Sequence, residues 1–228
     1  MRIVVAGATV STHQTLEALV RHGAEIVGVL QLRNESSHTV TAFSPLDELA
    51  EPHGIPYAKF RNINDSEIVE QVREWQPDLM FVVGLSQLVR GEMMSIPKRG
   101  CVGFHPTFLP AGRGRAPLAW LTLDGQPGAA TFFMIDKGVD AGPIFVQETF
   151  EVAPDDYASD VERKLVAATE AGLDRWLPEL LSGVWNPRPQ DEVLATYNGR
   201  RSIDDGLLNW YQSSDDIHAL IRAASTPH

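Results

Sequence analysis

Short apolar runs alternate with stretches of helical spacing along most of the chain. Arg2–Ala6 (RIVVA) is an extended run closed by Gly7, Thr15–Val20 carries apolar residues at helical spacing, and Ala24–Leu30 (AEIVGVL) is extended again. That strand–helix–strand opening is the βαβ signature and favours a parallel sheet. The cycle repeats with a helical Pro45–Glu51, an extended Ile55–Ala58, a helical Ser66–Trp75 and a buried strand at Leu79–Val83 ended by Gly84. Cys101–His105 reads as a further strand, followed by a Pro/Gly/Arg loop and a short helix at Pro117–Leu123. Ala130–Ile135 and Ile144–Phe150 read as two strands around the turn DKGVDAGP. From Tyr157 to about Leu181 the spacing of Val161, Leu165, Leu173, Trp176, Leu177 and Leu180 is helical, with Gly183 as its stop. NPRPQDE then reads as a linker and Ser213–Ala224 as a last helix. The pattern predicts a doubly wound, mostly parallel α/β catalytic domain over 1–185. A linker and C-terminal segment over 186–228 complete the chain.

Composition narrows the function classes. With 43% hydrophobic and 21% charged residues among 228, the chain has enough apolar content for one sizeable core. Nineteen basic against thirty acidic residues give a net charge of −11, which counts against a large nucleic-acid partner. A small nucleotide-linked ligand held by a few arginines is still compatible with it. Cys101 is the only cysteine, so no internal disulfide is available, and the seven histidines show no metal-ligand spacing. No apolar run reaches the roughly 18 residues of a membrane span. A reducing, cytoplasmic setting is the default expectation.

In open α/β sheets ligands bind outside the carboxyl ends of the strands. Gly84, His105 and the loop holding Asp140 all fall at or just after predicted strand ends. His105-Pro106 alone would read as a packed loop, and Asp140 alone as the cap of a Gly-flanked turn. Taken together the order is more specific: His105, Pro106, Thr107, Leu109, Pro110, Arg113 and Gly114, then Asp136, Gly138, Asp140 and Gly142.

That series resembles the folate-dependent formyltransferase family, which includes glycinamide-ribotide, methionyl-tRNA and nucleotide-amino-sugar formyltransferases. The resemblance implies a Rossmann-like formyltransferase fold, with His105 and Asp140 as the catalytic pair and 10-formyltetrahydrofolate as co-substrate. It places the folate on Gly84, Leu85, Ser86, Gln87, Leu88 and Val89, with the pterin near Ile135, Asp136, Gly138 and Val139. Histidine suits the proton traffic of formyl transfer because its reference pKa lies near working pH. One position departs from the family pattern: Gly103 stands where the motif has asparagine. Losing one oxyanion donor costs roughly 10²–10³ in rate. Either another donor serves (a backbone N–H, Thr107, Gln87 or a water), or the chemistry has shifted toward folate hydrolysis or another acyl-type donor, or the chain is a non-catalytic binding module.

Other candidates are weaker in pattern. Thr107, Arg113 and Arg115 are read as substrate contacts, the arginines by their planar forks. The amides opening the first helix, with Ser11 and Thr12, are a candidate phosphate cradle. Trp120 and Trp176 read as packing residues. The tail ATYNGRRSIDDGLLNW resembles the segment that leads into a small C-terminal barrel in the methionyl-tRNA and amino-sugar enzymes, and is closer to the sugar type. Ending at His228, the chain reads as a short or truncated member. The expected acceptor is a small primary amine, nucleotide-linked, with no metal, no membrane and no nucleic-acid partner; a homodimer is left open. The alternatives are a methionyl-tRNA formyltransferase, a formyl-folate hydrolase and a folate- or nucleotide-binding module.

Overall fold

The structure, a computed structural model, describes residues 1–35, 40 and 42–226. The chain divides into two compact units, 1–104 with 173–186 and 105–172 with 187–228.

The first unit is a parallel sheet with helices. Its strands are β1 (Arg2–Gly7), β2 (Glu25–Leu32), β3 (Tyr57–Phe60), β4 (Leu79–Val83) and the opening of β5 (Cys101–Thr107). They run in the order β3-β2-β1-β4-β5, and every pairing is parallel. Parallel strands are covered on both faces, which is why Ile3–Ala6 and Leu79–Val83 are unbroken apolar runs and fully or almost fully buried. Helices α1 (Val10–Arg21), α2 (Asp47–Ala50), α3 (Ser66–Trp75) and α4 (Gly91–Ser95) supply the connections. In α3 the buried residues are Ile68, Val69 and Val72, one stripe of an otherwise polar helix. Gly84, just after β4, has φ +59°, and a Cβ there would lie 1.8 Å from Thr9 Oγ1, so only glycine fits.

The second unit takes the end of β5 together with β7 (Gly128–Met134) and β8 (Ile144–Phe150), in the strand order β5-β7-β8. β7 and β8 are antiparallel, as a hairpin connection requires. Helix α5 (Pro117–Asp124) packs against α7 (Ser214–Ala223). A two-residue parallel ribbon joins β6 (Arg113–Gly114) to β9 (Tyr197–Asn198). Leu109, Phe133 and Ile144 form a buried cluster in this unit.

Helix α6 (Ala158–Leu181) is shared by sequence: its first residues belong to the second unit and Leu173 onward to the first. In the first unit its end buries Leu173, Trp176, Leu177 and Leu180, with Trp176 tilted against Phe81 at 5.8 Å. Asp174 holds Arg21 and His22 at 2.8 and 2.7 Å, tying α6 to the end of α1. Trp176 is thus the packing residue its pattern suggests. Trp120 instead donates its indole N–H to Gly199 O and lies under the Arg201 guanidinium.

The stretch after 185, which its prolines make read as a linker, is stitched down. Ile144 and Arg188 exchange both backbone hydrogen bonds, and Thr196 N–H donates to Pro110 O. The short α4 and the β6–β9 ribbon have no counterpart in the sequence pattern. Among the described residues no helix is long and apolar enough to cross a membrane, and no group of three His, Cys, Asp or Glu has a metal-binding arrangement.

Candidate active site

His105 lies near the end of β5 with its side chain 7% exposed. Its Nε2 is 2.9 Å from the carbonyl oxygen of Gly112. A carbonyl can only accept, so Nε2 carries the hydrogen there, and Nδ1 is the nitrogen free to exchange a proton. Nδ1 faces Asp140 Oδ2 at 3.5 Å, the outer limit of a direct hydrogen bond.

The loop that offers Gly112 O is held from several sides. Thr107 Oγ1 donates to Ala111 O at 2.8 Å, Thr131 Oγ1 to Thr107 O at 2.7 Å, and Gln147 Nε2 to Leu109 O at 2.9 Å. Pro106 and Pro110 restrict φ in the residues that lead to Gly112. These contacts hold the carbonyl to which the imidazole is anchored.

Asp140 sits in the turn between β7 and β8. Its φ is +51°, a left-handed conformation in which aspartate is one of the few tolerated L residues. Its Oδ2 accepts from Gly114 N–H at 2.9 Å and so faces His105 while bonded to backbone. Upstream, Asp136 Oδ1 accepts from Gly138 N–H at 2.8 Å and closes an Asx turn. Downstream, Gly142 packs so tightly that a Cβ would lie 1.7 Å from Met134 O. The Asp-x-Gly-x-Asp-x-Gly spacing is therefore a turn specification as well as a chemical one.

The structure brings together His105, Thr107, Arg113, Gly114 and Asp140 in the second unit. Arg113 departs from its expected role as a substrate contact. Its side chain is fully covered, and its guanidinium donates to Gln190 Oε1, to both carboxylate oxygens of Glu192 and to Tyr197 OH. The fork is spent on its own chain. The Glu192 hydrogen bonds push the arginine pKa further up, and Arg113 holds Glu192 below the usual carboxylate range. Thr107 is likewise occupied in closing its loop. Arg115 is exposed and has no side-chain partner among the described residues, as a ligand contact needs.

In the first unit the expected phosphate cradle is also filled from within. Ala8 and Thr9 N–H both donate to Thr12 Oγ1 at 3.1 Å, Thr12 Oγ1 donates to Val83 O, and Val10 N–H donates to Ala42 O. Thr12 is fully buried, whereas Ser11 stays half-buried. Along Gly84–Val89, Gln87 accepts from Ile63 N–H and donates to Arg61 O, so its amide pins the loop, and Leu88 is 79% exposed. Ile135 is half-buried and Val139 is 55% exposed. Gly103 pairs with Val82 in the β4–β5 ladder and brings no side-chain donor.

Pattern reading missed Gln190, Glu192, Thr196 and Tyr197, all in or beside the NPRPQDE stretch. Nothing in their spacing marks them, because their partners lie about 50 to 85 residues away.

The formyl transferase family model matches residues 1–177. Methionyl-tRNA formyltransferase of Geotalea uraniireducens is 31% identical over 225 residues, covering 97% of this chain and 72% of its own length. The enzyme of that name from Geobacter metallireducens is 29% identical over the same shares. Among solved structures, a sugar 3N-formyl transferase crystallised with dTDP and 5-N-formyl-THF has a TM-score of 0.76 at 19% identity, over 98% of this chain and 78% of that one. An N-formyltransferase from Helicobacter canadensis in complex with folinic acid and dTDP-3-aminofucose has a TM-score of 0.73 at 18% identity, over 97% and 79%. These structural likenesses show a shared fold. With the family model covering more than three-quarters of the sequence, the chain belongs to the formyl transferase family.

Proposed function

We propose that this protein moves a formyl group from 10-formyltetrahydrofolate to a primary amine on a nucleotide-linked amino sugar. The observation that carries the reading is the pair in the second unit: His105 with only Nδ1 left to exchange a proton, facing an Asp140 carboxylate held by Gly114 N–H. Transfer forms a C–N bond from the amine to the formyl carbon and breaks the bond from that carbon to folate N10. One proton leaves the amine and one reaches N10. Asp140 takes the first and passes it across the 3.5 Å gap to His105 Nδ1, whose N–H then faces the oxyanion and gives the proton to N10 as its bond to the formyl carbon breaks.

Family membership supports formyl transfer, and the ligands named for the solved relatives support a formyl folate and a dTDP-linked amino sugar. Within the first unit, the Gly84–Val89 loop is the folate contact we propose; Ile135, Asp136, Gly138 and Val139 are that contact in the second. Arg115 is the remaining arginine for the acceptor. The net charge of −11 favours a small acceptor over tRNA. One observation favours methionyl-tRNA as a second reading: relatives of that name are 29% and 31% identical in sequence.

The test is tetrahydrofolate release from 10-formyltetrahydrofolate with a dTDP-linked amino sugar, with methionyl-tRNA, and with neither. Release that depends on the amino sugar is expected. Dependence on tRNA alone would establish the second reading instead. Release without any acceptor would make the protein a hydrolase, and folate binding without turnover would reduce it to a binding module.

A further inference from the structure

Asp140 holds a left-handed backbone conformation that few L residues adopt. The side chain that braces this turn is that of Gln190. Its Nε2 donates to Asp140 O at 2.8 Å and to Gly142 O at 2.7 Å, bracketing the turn on both sides. Its Oε1 receives Arg113 Nη2 at 2.7 Å and Nε at 3.2 Å. The orientation of this amide is unambiguous, since both carbonyls can only accept and both guanidinium N–H groups can only donate.

Arg113 in turn lies between the two backbone groups that set the catalytic pair. Gly112 O receives His105 Nε2–H, and Gly114 N–H is bound by Asp140 Oδ2. The segment carrying Gln190 reinforces the same loop, with Gly112 N–H donating to Thr196 Oγ1 at 2.8 Å and Arg113 N–H to Thr196 O. The contacts close a ring from His105 through Gly112, Arg113 and Gln190 to Asp140. Residues 187–198 lie beyond the 1–177 span of the family model, yet they complete its catalytic turn.

We infer that Gln190 is a positioning residue for formyl transfer, acting through the backbone of Asp140 and braced by Arg113. This rests on the reading that His105 and Asp140 handle the protons of that reaction. Gln190 touches no reacting atom; it fixes where the Asp140 carboxylate points. A displacement of about 1 Å at such a site costs on the order of a hundredfold in rate.

Two variants separate positioning from simple support. Gln190→Glu keeps an acceptor for Arg113 but removes both donors to the turn, while Gln190→Met removes both functions in a side chain of similar length. Each is compared with wild type for kcat and KM on 10-formyltetrahydrofolate with a dTDP-linked amino sugar, for melting temperature, and for the His105 ring signals in 15N-histidine NMR, which need no substrate. In whichever variant folds, kcat is expected to fall by roughly ten- to a hundredfold. KM for the folate should stay within about twofold, and the His105 signals should move. A folded variant with wild-type kcat or wild-type His105 signals would overturn the inference. Asp140→Asn runs alongside: if it also keeps wild-type turnover, the catalytic reading has failed; if it alone is inactive, only the role of Gln190 falls.

Discussion

Replacing Arg113 by methionine keeps the length of the side chain and removes every hydrogen bond its guanidinium makes. The Arg113 side chain is fully covered, but Glu192, its ion-pair partner, is 64% exposed and regains water once the arginine is gone. Tyr197, 63% exposed, does the same. The full penalty of breaking a buried pair, ~3–5 kcal/mol, therefore does not apply, because no charge is stranded. What is stranded is Gln190 Oε1, a half-buried acceptor whose only hydrogen bonds among the described residues come from Arg113, and an orphaned acceptor costs ~1–3 kcal/mol. The net expectation is about 2 kcal/mol, which for a chain of this size lowers the melting temperature by about 4–8 °C. Circular dichroism during heating measures it. Glu192→Gln, altering only the exposed partner, should move the transition far less. Equal losses in the two variants, or an unchanged Arg113→Met, would refute the claim that the cost lies in the orphaned amide.

Three further outcomes are expected. Asp174 is held below its ordinary carboxylate range first by His22 and then by Arg21. A carboxyl lowered by folding adds stability above its unfolded pKa of about 4 and loses it as pH falls through the folded value. In urea titrations Asp174→Asn should therefore be less stable than wild type at pH 7, and the gap should close on acidification below about pH 4; a gap constant to pH 3 would contradict the pairing. Burial pushes the Cys101 thiol up to about 12, so iodoacetamide at pH 8 should label the protein only after denaturation, as mass spectrometry would show. Gly103→Asn restores the amide at the position where family members carry one, and tetrahydrofolate release should equal or exceed wild type; abolished transfer would show that the site has been rebuilt around glycine.

Much of the fold was legible because parallel strands advertise themselves. Leu79–Val83 and Ile144–Phe150 were readable to the residue: the first, covered on both faces, is a compact apolar run, and the second alternates buried Ile144 and Val146 with partly exposed Phe145 and Gln147 after a turn. The His105 and Asp140 positions were legible for a different reason: the turn that presents Asp140 needs glycines at fixed places, and Gly138 and Gly142 carry that requirement into the sequence. Arg113 was misleading. A charged residue in a Gly/Pro loop reads as a ligand contact, and only the fold reveals that residues 190, 192 and 197 return to enclose it. Thr12 misled similarly, since its hydroxyl fills the helix start that a phosphate was expected to occupy. Contacts made across 50 to 85 residues leave no period for a pattern to show.

The most direct test of the account is tetrahydrofolate release from 10-formyltetrahydrofolate, with a dTDP-linked amino sugar as acceptor, by wild type, His105→Asn and Asp140→Asn. Each variant is expected to lose most turnover, by at least about a hundredfold, while its affinity for the folate, measured by fluorescence titration, stays near that of wild type. Wild-type turnover in either variant would contradict the assignment of the proton-handling pair.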